Sequence, residues 1–317
     1  MNKKIIRKIF GGFKSYVPGG VSIHPTGGTD SARYCYTIWL RHLSILYKNG
    51  FSKIPNTIAE LGPGDSIGTG LAGLVSGSKK LYALDVAEHT NIKKNILVFD
   101  ELVTLFANHS TIPDDNEFSR VFPRLDSYNF PSEIFADNNL EKFLDKSRIE
   151  SLRNELLDMK KQKNTIQYMC PWYDPKIIEN DSVDLIFSQA VLEHVEDLRN
   201  TYRAMYRWVK KDGFISHQID FESHGLSEQW NGHWSFSDLT WKLIKGKRQY
   251  LINREPLSKH LEAAQDAGFE IISVIPVKSF PHEEYMGTIE RSQLAKKFKN
   301  MSEEDFTTTS AYILAKK

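Results

Sequence analysis

Cysteine is nearly absent from this chain: Cys35 and Cys170 are the only two in 317 residues. Two thiols cannot build a disulfide framework, so the fold must rest on an apolar core, and a reducing, cytoplasmic setting is expected. No apolar run approaches the roughly 20 residues of a membrane-spanning helix. Neither charge is in excess. Lys and Arg number 41 and Asp and Glu 40, a net charge of +1, so whole-chain electrostatics give no reason to bind nucleic acid. No internal repeat is visible. A P-loop would need Gly-Lys-Ser/Thr, which is missing. Met1 to Phe10 is basic and then apolar, but Gly11-Gly12 breaks it before a signal-peptide core can form. That segment is either a loose basic terminus or a peripheral contact for an anionic membrane surface.

What is present is enough apolar material, 40% of residues, to bury a full core. The chain is organised around Thr57-Ile58-Ala59-Glu60-Leu61-Gly62-Pro63-Gly64. A short apolar run ends in an acid and breaks into a glycine turn. A small-residue helix over Ile67 to Val75 and a second apolar run, Lys80 to Leu84, lead to Asp85. Strand, glycine turn, helix, strand, acid is the first half of a nucleotide-binding α/β unit. Gly62 and Gly64 let the backbone turn tightly beside a ligand. Asp85 stands where a carboxylate accepts hydrogen bonds from ribose hydroxyls. Ile67 occupies the place of the third glycine of a dinucleotide fingerprint, and Pro63 removes an N–H that a phosphate cradle would use.

The acid-x-Gly-x-Gly pattern resembles motif I of class I S-adenosylmethionine-dependent methyltransferases. Ser182 to Val195, with Asp184-Leu185-Ile186 and Val191-Leu192-Glu193-His194, resembles a second stretch of that class. The resemblance implies a Rossmann-like, doubly wound α/β sheet of seven strands, mostly parallel with an antiparallel last strand. It implies S-adenosylmethionine as cofactor, held by Glu60, Gly62, Gly64, Asp85, Gln189 and Ala190, with Asp174 or Trp172 at the adenine. Arg33 and Tyr36, on a helix ahead of the first strand, are candidate contacts or plain surface residues. Residues 1–53 form a basic segment, loop and covering helix, and 54–317 the methyltransferase domain. Residues 109–163 are expected to be a lid-like insertion after the second strand.

The fifth strand is expected to end in His217-Gln218-Ile219-Asp220-Phe221-Glu222-Ser223-His224. Ligands in open α/β sheets bind at the carboxyl ends of strands. A hydroxyl acceptor must lose a proton as the methyl bond forms, and histidine suits that task near neutral pH. His217 is the expected base, with Asp220 orienting it and His224 placing the acceptor. The same three can alternatively hold a divalent metal, although no metal is assigned. The class resemblance implies that Glu193 and His194 lie at the acceptor, and Trp230, Asn231, His233 and Trp234 are expected to bind it, since aromatic faces beside amides suit a sugar ring. The stretches "HPTGGTDSARY", "FSQAVLEHVEDL", "SHQIDFESHGL", "WNGHWSFSD" and "YLINREPLSKHL" resemble a bacterial methyltransferase family often encoded among surface-polysaccharide genes. By association this implies O-methylation of a sugar hydroxyl on a glycan or nucleotide sugar. A small-molecule or lipid methyltransferase, and a non-catalytic cofactor-binding partner in glycan assembly, are the alternatives.

Overall fold

The computed structural model describes residues 3–17, 28–136, 140–159, 165–172, 174–248, 251–278 and 285–317. Seven strands form one sheet: β1 (Thr57–Leu61), β2 (Lys80–Leu84), β3 (Ile166–Met169), β4 (Val183–Gln189), β5 (Val209–Asp220), β6 (Glu270–Lys278) and β7 (Thr308–Lys316). Their order is β3-β2-β1-β4-β5-β7-β6. The first five run parallel, and β7 pairs antiparallel with both β5 and β6. The expected sheet is therefore present.

The helices are α1 (Lys3–Lys14), α2 (Ala32–Lys48), α3 (Gly68–Val75), α4 (Ile92–Ala107), α7 (Lys146–Leu157), α8 (Leu198–Trp208), α9 (Asp238–Lys245) and α10 (Leu257–Ala267). Three shorter ones are α5 (Ser132–Phe135), α6 (Leu140–Phe143) and α11 (Glu303–Thr307). Cores lie on both faces of the sheet. Leu185 and Phe214 face one core with α2, α3 and α4, while their neighbours Ile186 and Ile215 face the other with α8 and α10. Burial on both faces is why these strands read as continuous apolar runs. Helix α3 needs its small residues: a Cβ on Gly73 would stand 2.4 Å from Ile58 Cδ1.

Lys211-Asp212-Gly213, a turn-forming sequence, lies inside β5, whose register against β4 shifts between Val183 and Leu185. Asp212 takes φ +65 there, so the turn signal is spent on a bulge. The described part of 109–163, the stretch expected as a lid-like insertion, is anchored in the core. Ile112, Ile134, Phe135, Leu140, Leu152 and Leu156 all enter the core beneath α2 and α4. Two helices of this stretch, α6 and α7, are separate, with Asp145 capping the second through Ser147 N and Arg148 N; residues 137–139 and 160–164 lie outside the described residues.

Arg41 of α2 ties this stretch down. Its guanidinium is fully buried and donates to Asp115 Oδ1 (3.1 Å), Val121 O (2.8 Å) and Pro123 O (2.9 Å). Tyr36 donates to Ser110 O (2.7 Å), and Arg33 forms a two-pronged pair with Glu117. Arg33 and Tyr36 are thus occupied by the insertion. The loop over 109–128 and α2 form one packed body that borders the carboxyl end of the sheet.

Candidate active site

The glycine turn leaves β1 with Gly62 at φ +63 and Gly64 at φ +73, both left-handed. A Cβ on Gly62 would meet Val191 Cγ2 at 2.6 Å. The turn after β1 and the residues after β4 are therefore pressed together, as the sequence reading required of a shared cofactor site. Asp85, just past β2, accepts from Gly64 N (3.3 Å) and Val86 N (2.7 Å). Burial raises its pKa, and these backbone bonds oppose the rise. It faces the turn, in position to exchange backbone partners for ligand hydroxyls.

Glu60 does something else. Its Oε2 accepts from Gly70 N (2.9 Å), inside α3. Burial pushes its pKa up to about 8, so near neutral pH it is largely a neutral acid that fastens α3 to β1. Through that bond it holds the turn in place. Thr29 covers the turn from above. Its Oγ1 accepts from Ser66 N (3.1 Å), and its carbonyl accepts from the Ser66 hydroxyl. Ser31 caps α2 through Tyr34 N.

Gln189 bridges neighbours. Its Oε1 lies 3.3 Å from His42 Nε2, and its Nε2 donates to Phe122 O (3.2 Å) in the insertion. Ala190 follows at φ +53 with its N donating to Gln218 O (3.0 Å), which locks the end of β4 to β5. On the adenine side, Asp174 is exposed and caps the turn Pro175–Ile177 through Lys176 N (2.9 Å). Trp172 N donates to Asp85 O (3.1 Å), so Trp172 starts beside Asp85. Tyr173 lies outside the described residues.

At the carboxyl ends of β4 and β5 a polar cluster forms. His224 Nε2 lies 3.2 Å from Asp220 Oδ2. The His194 ring stands edge-on to the His224 ring at 5.2 Å. Glu193 is 3% exposed, and neither carboxylate oxygen has a hydrogen-bond partner among the described residues. Burial and the Asp220 charge push its pKa up to about 8. For His224, burial works downward, but the bond and charge of Asp220 prevail and the pKa is raised. Arg120, from the insertion, donates to Glu222 Oε2 (3.2 Å). The sequence reading missed Arg120, because its partner lies 102 residues away and no local pattern marks it.

His217 is not part of this cluster. It is fully buried, its Nδ1 2.8 Å from Ser188 Oγ, its ring edge-on to Tyr202 of α8. Burial, with His42 and His260 adding to it, pushes its pKa down to about 3. Ile215, His217 and Ile219 share the face of β5 that packs on α8 and α10, so the ring points into the core. The set His217, Asp220, His224 is not assembled, either as a base with helpers or as metal ligands. Trp230, Asn231 and Trp234 are also core residues. Trp230 donates to Thr288 Oγ1 (3.0 Å), Asn231 Oδ1 accepts from Ile289 N (2.9 Å), and Trp234 donates to Arg254 O (3.1 Å). No indole face is open to a sugar here. His233 is buried too, but it borders a crevice shared with Glu193, Asp220 and Asn253.

The family model described as "Methyltransferase domain" matches residues 149–216, which run from α7 through most of β5. No curated protein matches the chain. Among solved structures, an S-adenosylmethionine-dependent methyltransferase from Mesorhizobium loti is 11% identical, covering 89% of this chain and 98% of its own, with a TM-score of 0.40. Phosphoethanolamine N-methyltransferase 2 from Haemonchus contortus, in complex with S-adenosyl-L-methionine, is 16% identical, covering 98% of this chain and 56% of its own, with a TM-score of 0.40. The sheet order, the glycine turn facing Asp85 and the matched domain make this chain an S-adenosylmethionine-dependent methyltransferase.

Proposed function

We propose that the enzyme O-methylates a hydroxyl of a polyhydroxylated acceptor, a sugar of a glycan or nucleotide sugar. The observation that carries this is the Asp220–His224 pair at 3.2 Å, beside Glu193 and His194. An apolar acceptor would leave the buried Glu193 carboxyl unsatisfied, whereas a sugar hydroxyl can bond to it. The resemblance to surface-polysaccharide methyltransferases supports a carbohydrate. The acceptor O–H bond breaks and its proton passes to His224, held in place by Asp220. The oxygen lone pair forms the O–CH3 bond in line as the S–CH3 bond breaks. Sulfur keeps the electron pair, leaving S-adenosylhomocysteine. Proximity supplies much of the acceleration.

In this reading the insertion shapes acceptor access through Arg120, and α1 rests on an anionic membrane surface where a lipid-linked glycan would be presented. The test is labelled methyl incorporation from S-adenosylmethionine into sugar nucleotides, glycans, quinones and phenols. Label is expected in a carbohydrate ether. Label confined to quinones, phenols or amines would overturn the acceptor reading. Asp85→Ala should weaken S-adenosylhomocysteine binding by about 1.5–3 kcal/mol in calorimetry, the size of charge-assisted hydrogen bonds.

A further inference from the structure

At the ends of β4 and β5 three acids converge. They are Glu193, Asp220 and Glu222, with Arg120 bonded to Glu222 Oε2. Glu193 is the sharpest case. A carboxylate this buried, with both oxygens unpartnered, is costly unless it is neutralised or bound to a metal. Two imidazoles stand beside it. One donor atom each from Glu193, His194 and His224 lies within 4.8 Å of the others. In a six-coordinate shell with bonds of roughly 2.1–2.2 Å, opposite donors are roughly 4.2–4.4 Å apart, so small side-chain shifts would bring all three to one ion.

We infer that Glu193, His194 and His224 form a binding site for a first-row divalent cation, which the acceptor hydroxyl would join as a ligand. Two imidazoles with one carboxylate suit manganese, iron or zinc better than magnesium, which prefers all-oxygen shells. Asp220, bonded to His224, would fix the ring's orientation as an outer-shell partner does. The three ligands come from the turn after β4 and the turn after β5. Both turns leave their strands through left-handed residues, Ala190 at φ +53 and His224 itself at φ +46. The site thus sits on the edge where the methyl group is delivered.

This inference rests on the proposed hydroxyl acceptor and changes one assignment within it. His224 becomes a ligand rather than the base. The cation draws electron density from the hydroxyl oxygen and lowers its pKa, and the proton passes to Asp220. Bond changes at carbon and sulfur are the same.

The full-length enzyme, stripped with a chelator and dialysed, is titrated with Mn2+ while the spin-resonance signal of free Mn2+ is followed. One equivalent should bind. Glu193→Gln and His224→Asn should each weaken that binding at least tenfold. His224 is partly exposed, so His224→Asn should keep the parent melting temperature and S-adenosylhomocysteine affinity. Absence of Mn2+ binding, or equal binding by parent and both variants, overturns the site. Failure of the acceptor reading looks different. Mn2+ binding with label only in non-hydroxyl acceptors leaves the site standing, whereas carbohydrate labelling that persists in chelator removes the cation's role.

Discussion

A buried imidazole stays neutral because no water is available to solvate its charge. Four rings among the described residues are in that position: His42, His217, His233 and His260, with pKa values lowered by burial to about 4, 3, 3 and 3. In the unfolded chain each would take up a proton near 6.5. Each therefore contributes stability that is complete above pH ~6.5 and falls by ~1.4 kcal/mol per pH unit below it, until the folded ring itself protonates. Glu60 and Glu193, raised to about 8, act in the opposite sense; their contribution is full below the ordinary carboxylate range and is lost as pH rises through about 8. The rings outnumber the acids, so the melting temperature should fall between pH 7 and pH 5. Calorimetry at the two values checks it, and a rise on acidification would refute the balance. His217→Asn should cost roughly 1–3 kcal/mol of stability through the Ser188 bond, with turnover of the folded enzyme within a few-fold of the parent. A hundredfold loss of turnover at unchanged S-adenosylhomocysteine affinity would return His217 to the role of base.

At the scale of elements, the strands were legible because both their faces are buried, which makes each run apolar from end to end. The glycine turn was legible because its left-handed residues tolerate little but glycine. The same periodicity also placed His217 with Ile219 on one face, and that was the sound clue; the density of polar residues around it pointed elsewhere. The tryptophans misled for a related reason. Aromatics beside amides suit a sugar, but they suit a core with internal hydrogen bonds equally well. What no local pattern carries is long-range pairing: Arg120 with Glu222, and Arg41 with the carbonyls of 113–123. Arg41 is where the insertion can be tested. Arg41→Met keeps an unbranched apolar stem and removes all its donors, leaving Asp115 and three carbonyls short of partners. Loss of one member of a buried charged network typically costs about 3–5 kcal/mol. Urea unfolding should show a loss of that order, with faster proteolysis within 110–128. A variant as stable as the parent would mean that the loop is held by its apolar contacts alone.

At the scale of the whole molecule, a net charge of +1 conceals an uneven distribution. Helix α1 and its neighbour α9 bring together Arg7, Lys8, Lys14, Lys242 and Lys245. Ile9 and Gly12 face α9, and Gly12 packs so closely that a Cβ would collide with Leu243 O. The outer side of α1 is left with Phe10 at 63% exposure and Phe13 at 55%, continued by Tyr16 and Val17 past its end. Aromatics between cations on one helix face match an interfacial helix, whose apolar side enters the headgroup boundary while its lysines meet anionic lipid. No helix among the described residues is long and apolar enough to cross a membrane, so any attachment here would be lateral and salt-sensitive. Co-sedimentation with vesicles tests it. The enzyme should bind vesicles containing anionic lipid, bind neutral vesicles far less, and release as salt rises and screens the surface charge. Phe10→Ser with Phe13→Ser should reduce binding at least tenfold while leaving S-adenosylhomocysteine affinity intact, since neither side chain touches the glycine turn. Equal sedimentation of parent and double variant would remove α1 from the membrane. The acceptor would then have to reach the enzyme in solution, as a nucleotide sugar would.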